Sequence, residues 1–298
     1  MPGGIHPPLE VIASWPAGNY IDPPTRPKAV LIVACVFGPL SLGILIVRLW
    51  VRIRIQHNTG LDDWLMLAAI FPMIALTVLF PLATEVYGFN KHVWDVNPAL
   101  FVPQRKLIMA IEVIFCVAVG LIKVSILLFY RRISSRAVSY CFRWATRITI
   151  TFIVTYSIAF TLVPIFGCHP ISAFWDQLNF VKLATGYKYK CFNEGADVFA
   201  AGLISAVQDF ITAILPTFLY WKLHIPLRQK IALFGIFAIG YCVVAISAIR
   251  TWLSWRIFFE TYDVTWAAWD NWLWSMLELH VGAMCANAPA LKVFFKHF

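Results

Sequence analysis

Five ionisable residues fall inside long apolar stretches of this 298-residue chain: Glu112, Lys123, Asp209, Arg250 and Glu278. An ionisable group at membrane depth is costly and points by default to function. Glu112 and Lys123 are eleven residues apart, about three helical turns, so they share one helix face. Asp209 forms a stripe with Ser205 and Thr212, and Glu278 forms another with Asn271, Ser275 and Gly282. Polar stripes of this kind should face a bundle interior. At about 1.5 Å per residue, Glu112, Arg250 and Glu278 lie within roughly 5–10 Å of the outer boundary, with Asp209 near the middle. One reading is an outward-opening ligand pocket built from Arg250, Glu278, Glu112, Asn271 and Ser275. The other is that Arg250 pairs with Glu278 or Glu112 and only fixes helix packing. If the protein catalyses, Glu112, Asp209 or Glu278 would be the general acid of a cyclisation or isomerisation. Lys123 is assigned a structural role, about 10 Å from the cytoplasmic end, where it could partly snorkel.

Other chemistries find little support. His280 is two residues from Glu278, roughly 200° around the helix, and reads as a helix contact. No His and Cys cluster has zinc spacing, and Asp62-Asp63 lacks a third carboxylate to hold magnesium, so no metal is expected. Asp62 and Asp63 follow Gly60 and read as structural residues that cap a helix. No nucleotide loop, serine elbow or catalytic cysteine signature occurs. Cys168 and Cys191 share a long connection on the outer side, where two thiols are free to form a disulfide. Cys141 should stay reduced, and Cys35, Cys116, Cys242 and Cys285 read as small packing residues.

The elements that must position these residues follow from composition. The chain is 60% hydrophobic and 13% charged, with a mean hydropathy of +0.75. A soluble domain carries about 25% charged residues. The net charge of +9 lies in short clusters between apolar runs, a pattern that orients a membrane protein and does not suit nucleic acid. Spanning hydrocarbon about 30 Å thick takes about 20 apolar residues. Seven runs qualify: Ala29–Val51, Trp64–Thr84, Leu107–Tyr130, Ala145–Phe166, Phe199–Trp221, Ile231–Leu253 and Asn271–Leu291. None alternates like a strand, so each is a helix.

Orientation follows from Lys and Arg. Arg52 and Arg54, then Arg131, Arg132, Arg136, Arg143 and Arg147, then Lys222, Arg228 and Lys230 load the odd-numbered connections. Acidic residues such as Asp95, Asp176, Glu194 and Asp263 balance the bases on the other side. The expected fold is an all-α seven-transmembrane bundle with its N-terminus outside and its C-terminus cytoplasmic. Residues 1–28 form an outer segment without a signal peptide, 29–291 the membrane domain and 292–298 a short tail. Trp50, Trp64, Trp144, Trp221, Trp252 and Trp272 sit at run ends, where indoles favour the headgroup layer. The setting is an integral multi-pass protein of the plasma membrane or an endomembrane.

Several motifs agree in order and spacing: Leu61-Asp62-Asp63-Trp64, the run from Ile122 to Ile133, Cys168-His169-Pro170 with Trp175, Cys191, and Asp209 with Leu215-Pro216. Ile249-Arg250, Asp263-Val264-Thr265-Trp266, Trp274-Ser275 with Glu278, and Pro289 complete the set. On these the chain resembles the fungal rhodopsin-domain family of integral membrane proteins, which includes satratoxin-cluster-type and pathogenicity-related receptor-like proteins. The resemblance implies a seven-helix bundle, acting either as a receptor or beside a secondary-metabolite pathway. Photochemistry is not expected: Asn271–Leu291 holds no lysine for a retinal Schiff base, so no cofactor is assigned. No Cys-rich domain precedes the first run and seven residues follow Leu291, so a signalling partner has little tail to engage. The leading expectation is a membrane protein that binds or converts a small, largely apolar metabolite in a fungal secondary-metabolite pathway. The alternative is a receptor for an external small molecule or surface cue. A transporter ranks last, for want of repeat symmetry and broken helices.

Overall fold

A computed structural model describes residues 3–133, 140–221 and 227–297. Arg136, Lys222 and part of the expected tail therefore lie outside the described residues. Seven long helices dominate: α1 Ala29–Trp50, α2 Leu61–Glu85, α3 Phe101–Ile133, α4 Tyr140–Phe166, α5 Glu194–Trp221, α6 Leu227–Phe259 and α7 Val264–His297. Each packs on the next, and α7 returns to α1, closing a ring. Helix α3 also touches α5 and α7, and α7 also touches α2. Among the described residues, α1 to α6 are long and apolar enough to cross a membrane. Helix α7 has the length but carries Asp270, Glu278 and His280. Pro39, Pro72, Pro81, Pro164 and Pro216 lie inside helices, as they can where neighbouring helices satisfy the freed backbone groups.

Most helices run past their apolar stretches, and at the starts of α3 and α5 the added turns hold polar residues that pair. α3 begins at Phe101 and α5 at Glu194, so Arg105 and Glu194 face each other from the first turns of two helices. The core between α2, α3 and α7 is built on Leu76, Phe80, Ile111, Met276 and Leu279. Trp272 belongs to it, 5.5 Å from Phe80 and 5.6 Å from Phe89 between ring centroids. It is a buried core residue and not the headgroup anchor its position near a run end suggested. Trp50, Trp64, Trp144 and Trp252 do stand exposed on the outside of the bundle. Cys35 and Cys242 are exposed there too, and are not packing residues.

One end of the bundle is basic. Arg48 of α1, 1% exposed, donates from Nη2 to Asp62 (2.9 Å) and from Nε to Asp63 (3.0 Å), and its Nη1 reaches the Ala286 carbonyl of α7 (2.8 Å). Arg132 of α3 bonds the same two carboxylates at 3.1 and 3.4 Å. Arg52 lies 3.7–4.0 Å from them, on a π-helical turn, Val51–Ile55, that follows α1. Asp63 also accepts the Gly60 N–H at 3.1 Å, a cap bond, whereas among the described residues the Asp62 carboxylate accepts only from arginines, within a cluster that ties four helices.

The opposite end carries a disulfide between Cys168 and Cys191, across the strand pair β1 Cys168–His169 and β2 Lys190–Cys191. The N-terminal segment lies over this end. Gly4 donates to the Thr261 carbonyl (3.0 Å), and Arg26 donates its N–H to Asn90 (2.8 Å) and its guanidinium to Asp270 (3.3 Å). His92 is stacked between Trp94 and Trp266 at 4.7 and 3.9 Å and pairs with Asp263 at 2.5 Å. Removing a partner from a buried ion pair leaves an uncompensated charge and costs about 3–5 kcal/mol. Arg48→Leu should therefore lower stability by about that much, and by more than Arg132→Leu, whose side chain is 25% exposed. Thermal unfolding of the purified protein in detergent checks the ranking.

Candidate functional site

Three cavities descend from the disulfide end. The first is a chamber of about 540 Å³. Phe174, Tyr189, Phe192 and Phe258 wall it, and His6, Gln177, Asn193 and Glu194 supply polar groups. Backbone of Gly3 and Gly4 closes one side, so the N-terminal segment forms part of the wall. Gly195 is needed where α5 passes α6: a Cβ there would sit 2.8 Å from Cβ of Phe258. Glu194 is held by a fork from Arg105, with contacts of 2.7 and 2.5 Å, and Arg105 lies 4.2 Å over the Phe174 ring.

The second cavity, about 90 Å³, lies between α3, α4, α5 and α6. Glu112, Tyr156, Phe160, Asp197, Ser205 and Arg250 line it. The carboxylates of Glu112 and Asp197 make no hydrogen bond or ion pair among the described residues. Two such carboxyls facing one space are an acid–base pair in composition. The Tyr156 hydroxyl is occupied, donating to the Ala201 carbonyl at 2.8 Å.

The third cavity, about 40 Å³, lies deeper, between α3, α5, α6 and α7. Lys123, Asp209, Thr212, Glu278 and Cys285 line it, and Val119 borders both it and the cavity above. Lys123 Nζ lies 2.9 Å from Asp209 and donates to the Ser205 carbonyl and hydroxyl, each at 2.9 Å. Arg250 forks onto Glu278, with Nε to Oε2 at 2.5 Å and Nη2 to Oε1 at 3.4 Å.

The structure thus brings the expected residues together differently. Glu112 and Arg250 share the second cavity, whereas Glu278 lines the third with Asp209. Lys123 does not snorkel: it is 4% exposed, because Asp209 offers a nearer partner than water. Asn271 and Ser275 line none of the three cavities. Asn271 accepts from Ser254 of α6 (3.3 Å), and Ser275 donates to the Asn271 carbonyl (2.7 Å). His280 is a helix contact, 2.9 Å from the Ser41 hydroxyl and 3.4 Å from that of Thr77. Asp197, Arg105 and Glu194 were not among the expected site residues, and Glu194 entered only as an acidic charge on the outer side. Each falls in a polar turn just outside an apolar run, and only the matching of Arg105 with an acid across the bundle could have flagged them. Among the described residues no group of three His, Cys, Asp or Glu is placed to hold a metal.

The fungal rhodopsin domain family matches residues 47–297. Relatives include "Receptor GIN3" of Arthrobotrys oligospora, 25% identical over 92% of this chain and 64% of its own length. A "SAT4 family membrane protein" of Emericella nidulans is 27% identical over 72% of this chain and 52% of its own. The "Polyenoic acids biosynthesis gene cluster protein Ba17b" of Metarhizium anisopliae is 24% identical over 70% and 55%. The chain thus spans between about half and two thirds of the length of these relatives. No solved structure matches it.

The buried pairs give a direct test of the geometry. Lys123→Met should destabilise the protein by about 3–5 kcal/mol, by stranding Asp209. Adding Asp209→Leu should recover more than half of that loss. A double variant as unstable as the sum of the two singles would show that the residues do not act as a unit.

Proposed function

The chain belongs to the fungal rhodopsin domain family, and from that premise we propose that it handles a small, largely apolar metabolite in the chamber at the disulfide end. It is an integral multi-pass membrane protein. Our reading has seven crossings, α7 included, with the disulfide end outside and the basic end cytoplasmic. Arg52, Arg54, Arg131, Arg132, Arg143 and Arg147 at one end support this, as does a disulfide at the other, where an oxidising compartment would keep it. The observation that carries the functional reading is the chamber itself. Its volume of about 540 Å³ falls in the range of ligand pockets, and aromatic walls with a few polar groups suit an apolar guest.

Binding comes first in this reading, and conversion second. Were the guest converted, Glu112 and Asp197 would be the acid–base groups, one cavity below the chamber, with Arg250 stabilising developing negative charge. We assign no retinal, because Asn271–Leu291 offers no lysine for a Schiff base. That one relative is named as a biosynthesis gene cluster protein supports a pathway role. The receptor reading is kept because a relative covering 92% of the chain is named as a receptor. On that reading the chamber would sense an external molecule, and a signalling partner would meet the basic end.

Two experiments test the proposal. A cysteine replacing Lys182 should react with an impermeant thiol reagent on intact cells, and one replacing His57 only after permeabilisation. The reverse pattern would overturn the orientation. For the chamber, Ile5→Trp fills space from the N-terminal segment without touching the helix packing. It should cut the pathway product about tenfold and raise its precursor, at unchanged protein level in membranes. If complete deletion of the gene leaves the metabolite profile unaltered, the pathway reading fails and the receptor reading leads.

A further inference from the structure

The third cavity holds features the chamber reading does not use. Oδ2 of Asp209 and Oγ1 of Thr212 make no hydrogen bond, and both residues are 6% exposed. Ser247, fully buried, turns its hydroxyl toward the same carboxylate and is its nearest hydroxyl partner, though short of hydrogen-bond geometry, whereas Thr212 has no such neighbour. Buried polar atoms are nearly always paired, and an exception asks for an explanation. Two of these atoms belong to residues that line one space, and the rest of its wall is largely apolar, with Ile122, Ile126, Val243 and Leu279. Gly282 leaves room as well: a Cβ built there meets nothing within 4 Å.

We infer that this cavity is a second ligand site, one that takes a neutral apolar alcohol whose hydroxyl donates to Asp209 and accepts from Thr212. The charge balance selects a neutral guest. Lys123 with Asp209 and Arg250 with Glu278 already cancel, so a cation would add an unpaired charge beside an ammonium that lies 2.9 Å from the other oxygen of Asp209. A pure hydrocarbon would leave the same oxygens unpaired. Water fits by volume, since about 40 Å³ admits roughly three molecules, but the apolar wall gives few of them a partner. A hydroxyl on a body of a few carbons meets both halves of the wall, whereas a sterol is far too large. The site is separate from the chamber, and its fate does not depend on the chamber reading.

Cys285 lines the cavity and serves as a native reporter. The full chain in lipid nanodiscs would be treated with methyl methanethiosulfonate, and modification of the Cys285 peptide followed by mass spectrometry. Cyclopentanol should slow that modification and raise the unfolding temperature, while cyclopentane and cyclopentylammonium should do neither. The unfolding temperature gives the same comparison if Cys285 reacts too slowly to follow. Thr212→Val, which keeps shape and removes the hydroxyl, should raise the cyclopentanol concentration for half-effect roughly fivefold. Ile5→Trp in the chamber should leave it unchanged. Equal protection by cyclopentane would reduce the site to an apolar void, and stronger protection by the ammonium would make it a cation site. Either result overturns the inference, as does no effect of cyclopentanol on both readouts or an unaltered half-effect in Thr212→Val.

Discussion

A charge taken out of water must meet its opposite, and this bundle is arranged around that demand. Four levels of pairing run through it: Arg105 with Glu194, Arg250 with Glu278, Lys123 with Asp209, and Arg48 and Arg132 with Asp62 and Asp63. Helix α3 contributes to three of the four, and through them is tied to α2 and α5. Apolar packing is nearly indifferent to the rotation of a helix in lipid, because lipid tails are as apolar as leucine. Ion pairs are not indifferent. They set which face of each helix turns inward, and the cavities follow from that rotation.

The same pairing distributes chemical capacity unevenly. Where acid and base cancel, as around Lys123 and Asp209, the cavity carries no net charge on a largely apolar wall. Where they do not, as with Glu112 and Asp197, carboxyls face a cavity with their proton-transfer capacity uncommitted. The chamber above differs again, since its one charge is pinned by Arg105 and its walls are aromatic. On the proposed reading, recognition and acid–base chemistry would be separated by depth, with the unpaired carboxyls of Glu112 and Asp197 below a guest in the chamber, not around it.

Relations within one helix were legible from spacing. The stripe of Ser205, Asp209 and Thr212 does turn inward, and two thiols sharing one long connection were enough to anticipate the disulfide. Relations between helices were not legible. Arg48 reads as one more flanking base until its distance to Asp62 is known, and Lys123 invites snorkelling until Asp209 appears opposite it. The chamber was hidden for a stronger reason. Its wall combines residues 3–6, 174–177, 189–195 and 258–259, which no periodicity connects. A Pro- and Gly-rich N-terminal segment offers no apolar pattern, so its lodging over the bundle rests on backbone hydrogen bonds and on Arg26 above Trp266.

Helix α7 carries this logic furthest. Judged by composition it is the least apolar of the long helices' faces toward a membrane, with Asp270, Asn271, Glu278, His280 and Asn287 along its length. Judged by partners it exposes little of that polarity. Asp270 meets Arg26, Asn271 meets Ser254, Glu278 meets Arg250, His280 meets Ser41, and Asn287 accepts from Arg48. Each bond is made to another segment of the chain, so the polar side of α7 is spent on the ring and on the N-terminal segment above it. A hydropathy window averages both sides and registers the sum, whereas the bilayer would meet only one. The seven-crossing reading therefore gains support from the hydrogen bonds of α7 at the point where its composition weakens it.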